Sequence, residues 1–136
     1  MMMSAKHRKR AQAGVALLEV LVSLLLFSFG VLGLIGLQAR AVTFSVDAED
    51  RNRAALLANE IATTMWLNKS VTVATGTGSP WQTRVSDPSK DGLPNGVVSV
   101  TAVSANSADI TITWRPPQRA STDSSQLTTR VTLPLP

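Results

Sequence analysis

The chain has 136 residues with 13 Lys or Arg against 9 Asp or Glu, which leaves room for one modest domain and little else. It has no Cys, no Tyr and a single His, so zinc sites, thiol redox chemistry and the usual nucleophile–base pairs lack their residues. The net charge of +4 is local: Lys6, Arg8, Lys9 and Arg10 precede the first acid, Glu19, and past Gly14 basic and acidic residues are equal in number. A nucleic-acid face on the folded part has no compositional support.

From Val15 to Leu37 the chain carries one charge, Glu19. As a helix this stretch spans roughly 35 Å, enough to cross a bilayer core of about 30 Å. The basic residues before it, with only Arg40 close behind, predict a cytoplasmic N-terminus and an exported remainder. Helix-forming composition continues to Asn68 without proline, so a continuous helix of roughly 80 Å is expected, shared between membrane and a folded head. In its second half Ala54, Leu57, Ala58, Ile61 and Met65 share a face and read as core. Asp47 with Arg51 and Glu49 with Arg53 have the spacing of i,i+4 ion pairs, and Asp47, Glu49 and Asp50 read as a solvated face.

After Asn68 the composition turns to Thr, Ser, Gly, Pro and Val, and all seven prolines lie from Pro80 onward. Val97 to Val103, Asp109 to Trp114 and Leu127 to Leu133 read as strands of an antiparallel meander, with a candidate extra strand near Trp81 to Val85. Ile110, Ile112 and Trp114 fall on one face of the middle strand, and Thr111 and Thr113 on the other. The expected class is α+β: a long N-terminal helix, membrane-spanning in its first half, whose second half covers a small antiparallel sheet. The organisation reads as a basic leader 1–14, a span 15–37, a helix 38–68 entering the head, and a β-rich part 69–136.

Function is carried by the junction of a basic leader ending in Gly14 with an apolar helix whose fifth residue is Glu19. A carboxylate within a spanning helix costs about 2.5 to 3.5 kcal/mol on insertion scales, so it asks for a cationic partner. Cleavage between Gly14 and Val15 would create one, the α-amino group of Val15, and in a packed bundle that amine could neutralise Glu19 of a neighbouring subunit. Gly30, Gly33 and Gly36 admit two readings: small residues that let helices approach closely, or, at about 1 kcal/mol of helix propensity each, a place where the helix melts or bends.

The leader Lys6 to Gly14, the junction Gly14 to Ser23 and the long proline-free helix resemble the type IV prepilins. The stretches 39–45, 53–62, 93–96 and 110–114 look like those of minor pilins of the pilus modification class. The resemblance implies cleavage after Gly14 by an inner-membrane prepilin peptidase, N-methylation of Val15, and recruitment into the filament through Glu19. Val15 stands where prepilins most often have Phe, which leaves cleavage intact and makes methylation the less secure step. The implied partners are that peptidase, other minor and major pilins, the inner-membrane assembly platform and membrane lipid. No cofactor, metal site or catalytic residue is expected. Two alternatives remain open on the residues: a minor pseudopilin of a type II secretion system, and an exported binding module released by ordinary signal peptidase near Ala39-Arg40-Ala41.

Overall fold

The computed structural model describes residues 8–134, with side chains from residue 14 onward. Lys6 and the side chains of Arg8, Lys9 and Arg10 lie outside the described residues. The chain divides into two compact units, Met1–Ser45 and Val46–Pro136. Helix α1 (Arg8–Asn68, 61 residues) contributes to both.

In the first unit the described residues are all helical. Apolar side chains are exposed around the whole circumference, among them Leu17, Leu18, Phe27, Phe29, Leu32 and Leu37. A helix that is apolar all round is made for a non-aqueous environment or for neighbouring helices. From Gly14 onward α1 is long and apolar enough to cross a membrane. Two polar side chains here bond the helix backbone: Ser28 Oγ donates to the Leu24 carbonyl at 2.7 Å and Thr43 Oγ1 to that of Ala39 at 3.2 Å.

The second unit is α+β. The last part of α1 presents Ala54, Leu57, Ala58, Ile61 and Met65 to the core, all essentially inaccessible to solvent. The helix ends in a Schellman turn: the Ser70 N–H bonds the Met65 carbonyl at 3.1 Å, the Lys69 N–H bonds that of Trp66 at 3.3 Å, and Lys69 has φ +50°. A non-glycine residue thus holds the left-handed position that glycine usually occupies.

Helix α2 (Pro80–Ser86) stands where the sequence suggested an extra strand near Trp81 to Val85. Local capping decides it. Ser79 Oγ accepts from the Gln82 N–H at 3.1 Å and Pro80 sits in the first turn with its φ already suited to a helix. A single 3-10 turn, Pro88–Lys90, follows, capped by Asp87, whose Oδ1 accepts from the Ser89 N–H at 3.0 Å and the Ser89 hydroxyl at 2.6 Å.

The sheet consists of β1 (Val97–Ser104), β2 (Ser107–Trp114) and β3 (Ser125–Thr132), antiparallel in the order β1-β2-β3. Only Ala105 and Asn106 separate β1 from β2, and the register shifts between Ala102 and Ser104. Leu133 leaves the ladder to bond Asn106 instead, its N–H to the Asn106 carbonyl at 2.7 Å and its carbonyl to Asn106 Nδ2 at 3.0 Å. Strict alternation puts Ile110, Ile112 and Trp114 in the core, where they join the α1 stripe with Val85, Leu93, Val98, Val131 and Leu133.

Gly96 marks the closest approach of two segments, since a Cβ there would overlap the Val85 carbonyl and meet that of Leu93 at 3.0 Å. Replacing it by Ala should destabilise the head by roughly 1 to 3 kcal/mol, the range for overpacking, seen as a lower denaturant midpoint. Lys69→Gly should act in the opposite direction by about 1 kcal/mol, because it relieves a left-handed backbone.

Candidate functional site on the N-terminal helix

Gly14 and Val15 are adjacent on α1 and Glu19 lies one turn beyond Val15; all three are exposed. Val15 and Glu19 are four residues apart and therefore share a face, one turn from each other. The flanking Leu17, Leu18 and Val20 are 55 to 68% exposed, so Glu19 is a single carboxylate set in an apolar surface. In a low-dielectric environment that charge needs an opposite charge beside it. Further along, Leu24, Leu25, Ser28, Phe29 and Leu32 outline a shallow groove on the same helix. Gly30, Gly33 and Gly36 sit within uninterrupted helix, and a Cβ built at any of them meets nothing within 4 Å. Close approach within the chain is therefore not why these glycines are there.

In the head, ion pairs bind loops and short elements to the helix. Arg84 of α2 holds Glu60 of α1 through two bonds of 2.9 Å, and Arg119 of the β2–β3 connection reaches Asp47 Oδ2 at 2.7 Å and Ser125 Oγ at 3.1 Å. The sequence paired Asp47 with Arg51. The structure gives Asp47 to Arg119 instead, a partner 72 residues away that local spacing does not disclose. The Glu49–Arg53 pair forms as expected. On the sheet, Arg130 grips Asp109 across strands with bonds of 2.7 and 2.9 Å. That hydrogen bonding and the adjacent guanidinium hold the Asp109 carboxyl below the usual carboxylate range.

Asp50 corrects a second reading. It is not on a solvated face: the residue is 5% exposed, and its Oδ2 has no hydrogen-bond partner among the described residues. Loss of solvent raises its pKa, opposed by Arg53 and reinforced by Glu49 and Asp47. The signal was present, since Asp50 precedes Ala54 by one turn and so continues the stripe through Leu57, Ile61 and Met65. Composition favoured the solvated reading because three acids cluster there. Among the described residues no group of three His, Cys, Asp or Glu converges in a way that would hold a metal ion.

Because the folded state raises the Asp50 pKa above its unfolded value, ionisation of this group opposes folding. Its penalty is full above the folded pKa and disappears as pH falls below the unfolded one. Asp109 and Asp87, both lowered, act with the opposite sign and lose their contribution as pH falls. Asp50→Asn should therefore stabilise the head at neutral pH by about 1 kcal/mol, with the gain shrinking toward acid pH, as measured by paired thermal melts across pH. In comparisons with known proteins the chain matches no family model, no curated protein and no solved structure.

Proposed function

We propose that the chain is a minor subunit of a type IV pilus. It is made as a precursor with its N-terminus in the cytoplasm and its head in the periplasm, cut after Gly14 by a prepilin peptidase, and built into the filament or its initiating tip through the apolar part of α1. The observation that carries this reading is Glu19, one exposed carboxylate in an apolar helix, one turn from the residue that cleavage would make N-terminal. A long helix whose first part exposes apolar side chains on all sides, and whose last part is buried against a small sheet, also supports it.

The mechanism follows from the charges. While the leader is attached, the Val15 nitrogen is a neutral amide and the basic residues Arg8, Lys9 and Arg10 hold the N-terminus on the cytoplasmic side. Hydrolysis of the Gly14–Val15 bond removes those charges and leaves an α-ammonium group at the start of the apolar helix. In a bundle of such helices that ammonium neutralises Glu19 of a neighbour, and the low dielectric makes the pairing selective for a single axial register. N-methylation of Val15 would keep the positive charge while adding apolar surface. Gly30, Gly33 and Gly36 would permit the helix to bend or to approach its neighbours during extraction from the membrane. A small residue is needed before the scissile bond, which Gly14 supplies.

Mass and N-terminal sequencing of the mature protein, from membranes and separately from sheared filaments, tests the reading. A chain beginning at Val15 and present in filaments is expected. A Val15 start confined to membranes would point to a pseudopilin of a secretion system, and a start near Val42 would discard the pilin reading for an exported binding module. Glu19→Ala should leave insertion and cleavage intact and lower filament incorporation at least about tenfold, equivalent to about 1.4 kcal/mol of lost pairing, on immunoblots of sheared fractions. A bulky residue at position 14 should leave the precursor uncleaved in the membrane.

A further inference from the structure

The three-stranded sheet has two open edges, and the structure says which backbone groups they offer. Outside β1, Gln82 imitates a neighbouring strand: its Oε1 accepts from the Val98 N–H at 3.1 Å and its Nε2 donates to the Gly96 carbonyl at 2.9 Å. The main-chain groups of Gly96 and Val98 therefore point away from β2, and by the alternation of an antiparallel strand so do those of Val100 and Ala102. The intervening Val97, Ser99 and Thr101 pair with Thr113, Thr111 and Asp109 of β2. Ile112 and Ile110 then turn to β3, opposite Leu127 and Thr129, which leaves the main-chain groups of Gln126, Thr128 and Arg130 facing outward on the other edge. Among the described residues, nothing bonds the Val98 carbonyl, or either outward group of Val100, Ala102, Gln126 and Thr128.

Edge strands of isolated proteins are normally guarded by charge, proline or a covering loop. From Val97 to Ser104 there is no charged residue and no proline, and the edge is guarded only by Gln82 at one end and the register shift at the other. Since β1 and β3 are both antiparallel to β2, they run in the same direction. We propose that β3 of one copy adds as a parallel strand to the free part of β1 in a second copy, joining neighbouring heads into one continuous sheet. Gln82 sets the register, because an incoming strand must start beyond it, and β3 begins at Ser125. In the parallel pattern the Gln126 N–H then donates to the Val98 carbonyl of the second copy and the Val100 N–H of that copy to the Gln126 carbonyl. The Thr128 N–H donates to the Val100 carbonyl and the Ala102 N–H to the Thr128 carbonyl. The groups that Gln82 leaves free are the ones used.

The choice of unlike edges rests on the membrane-anchored reading above. A two-fold pairing of β1 with β1, or of β3 with β3, reverses every direction in the sheet plane, including that of the α1 segment packed on the sheet. Pairing β3 with β1 keeps neighbouring heads in one orientation, as copies anchored in one membrane would be, and because both edges are present on every copy the contact repeats without closing on itself.

The chain has no cysteine, so a test by cross-linking starts from a silent background. In the proposed register Thr101 of one copy lies beside Thr128 of the next, both exposed, at the roughly 5 Å spacing of adjacent strands that a disulfide can bridge. Full-length Thr101→Cys and Thr128→Cys variants are expressed separately and together and oxidised in the membrane, with the mature N-terminus measured on the same samples. Co-expression should give a covalent dimer at least about tenfold more abundant than either variant alone, because docking raises the effective thiol concentration. Efficient cross-linking of one variant with itself would overturn the parallel arrangement. Absence of cross-linking in all samples from chains that begin at Val15 overturns the edge pairing and leaves the pilin reading standing. A co-expression-specific dimer from chains beginning elsewhere would uphold the pairing and overturn the pilin reading.

Discussion

The head depends on one contact, the burial of the small and aliphatic stripe Ala54, Leu57, Ala58, Ile61 and Met65 against the inner face of β2. A three-stranded sheet has too little apolar surface to be stable alone, and without a disulfide it needs a helix to complete its core. Ile61 and Met65 share one core with Ile110, Ile112 and Trp114. The remaining parts of the head are arranged around this contact. Arg84 ties α2 to the helix through Glu60, and Arg119 ties the β2–β3 connection to it through Asp47.

The same helix serves two environments, and the division shows in how its surface is used. Up to Ser45 its described apolar side chains face outward on all sides, whereas from Val46 one stripe is buried and the exposed remainder is mostly polar, with Leu56, Trp66 and Leu67 among the apolar exceptions. Glu19 and Asp50 are two carboxylates whose settings contrast. Glu19 is exposed and open to a neighbour's charge. Asp50 is buried, and the fold bears the cost of removing it from water. A carboxylate held without a full set of partners lowers stability without contributing to the core.

The sheet ends in two open edges, β1 and β3. Its edges carry few of the guards found on isolated sheets, and its outer face is rich in Ser and Thr, with the Thr111 and Thr128 hydroxyls 3.2 Å apart across strands. Gln82 is the exception, a side chain that borrows the hydrogen-bonding pattern of a strand to close part of one edge.

Much of this was legible in the residues. The apolar run, the proline-free helix ending at Asn68, the core stripe and the alternation of Ile110, Ile112 and Trp114 are periodic signals, which local geometry turns directly into faces. The Gly14–Glu19 junction was equally legible as a candidate site, because a lone acid in an apolar helix is conspicuous by composition alone. The α2 helix was missed although Ser79, Pro80 and Gln82 carry its capping pattern, since the β-rich composition around it outweighed a short local signal. The pairing of Asp47 with Arg119, the grip of Arg84 on Glu60 and the role of Gln82 at the β1 edge join residues far apart in the chain. No spacing rule reaches across such separations, so only the packing of helix on sheet decided them. Burial of Asp50 belongs to the same class: its position on the stripe is written in the sequence, but whether the stripe's first turn is covered depends on where the sheet and its connections come to rest.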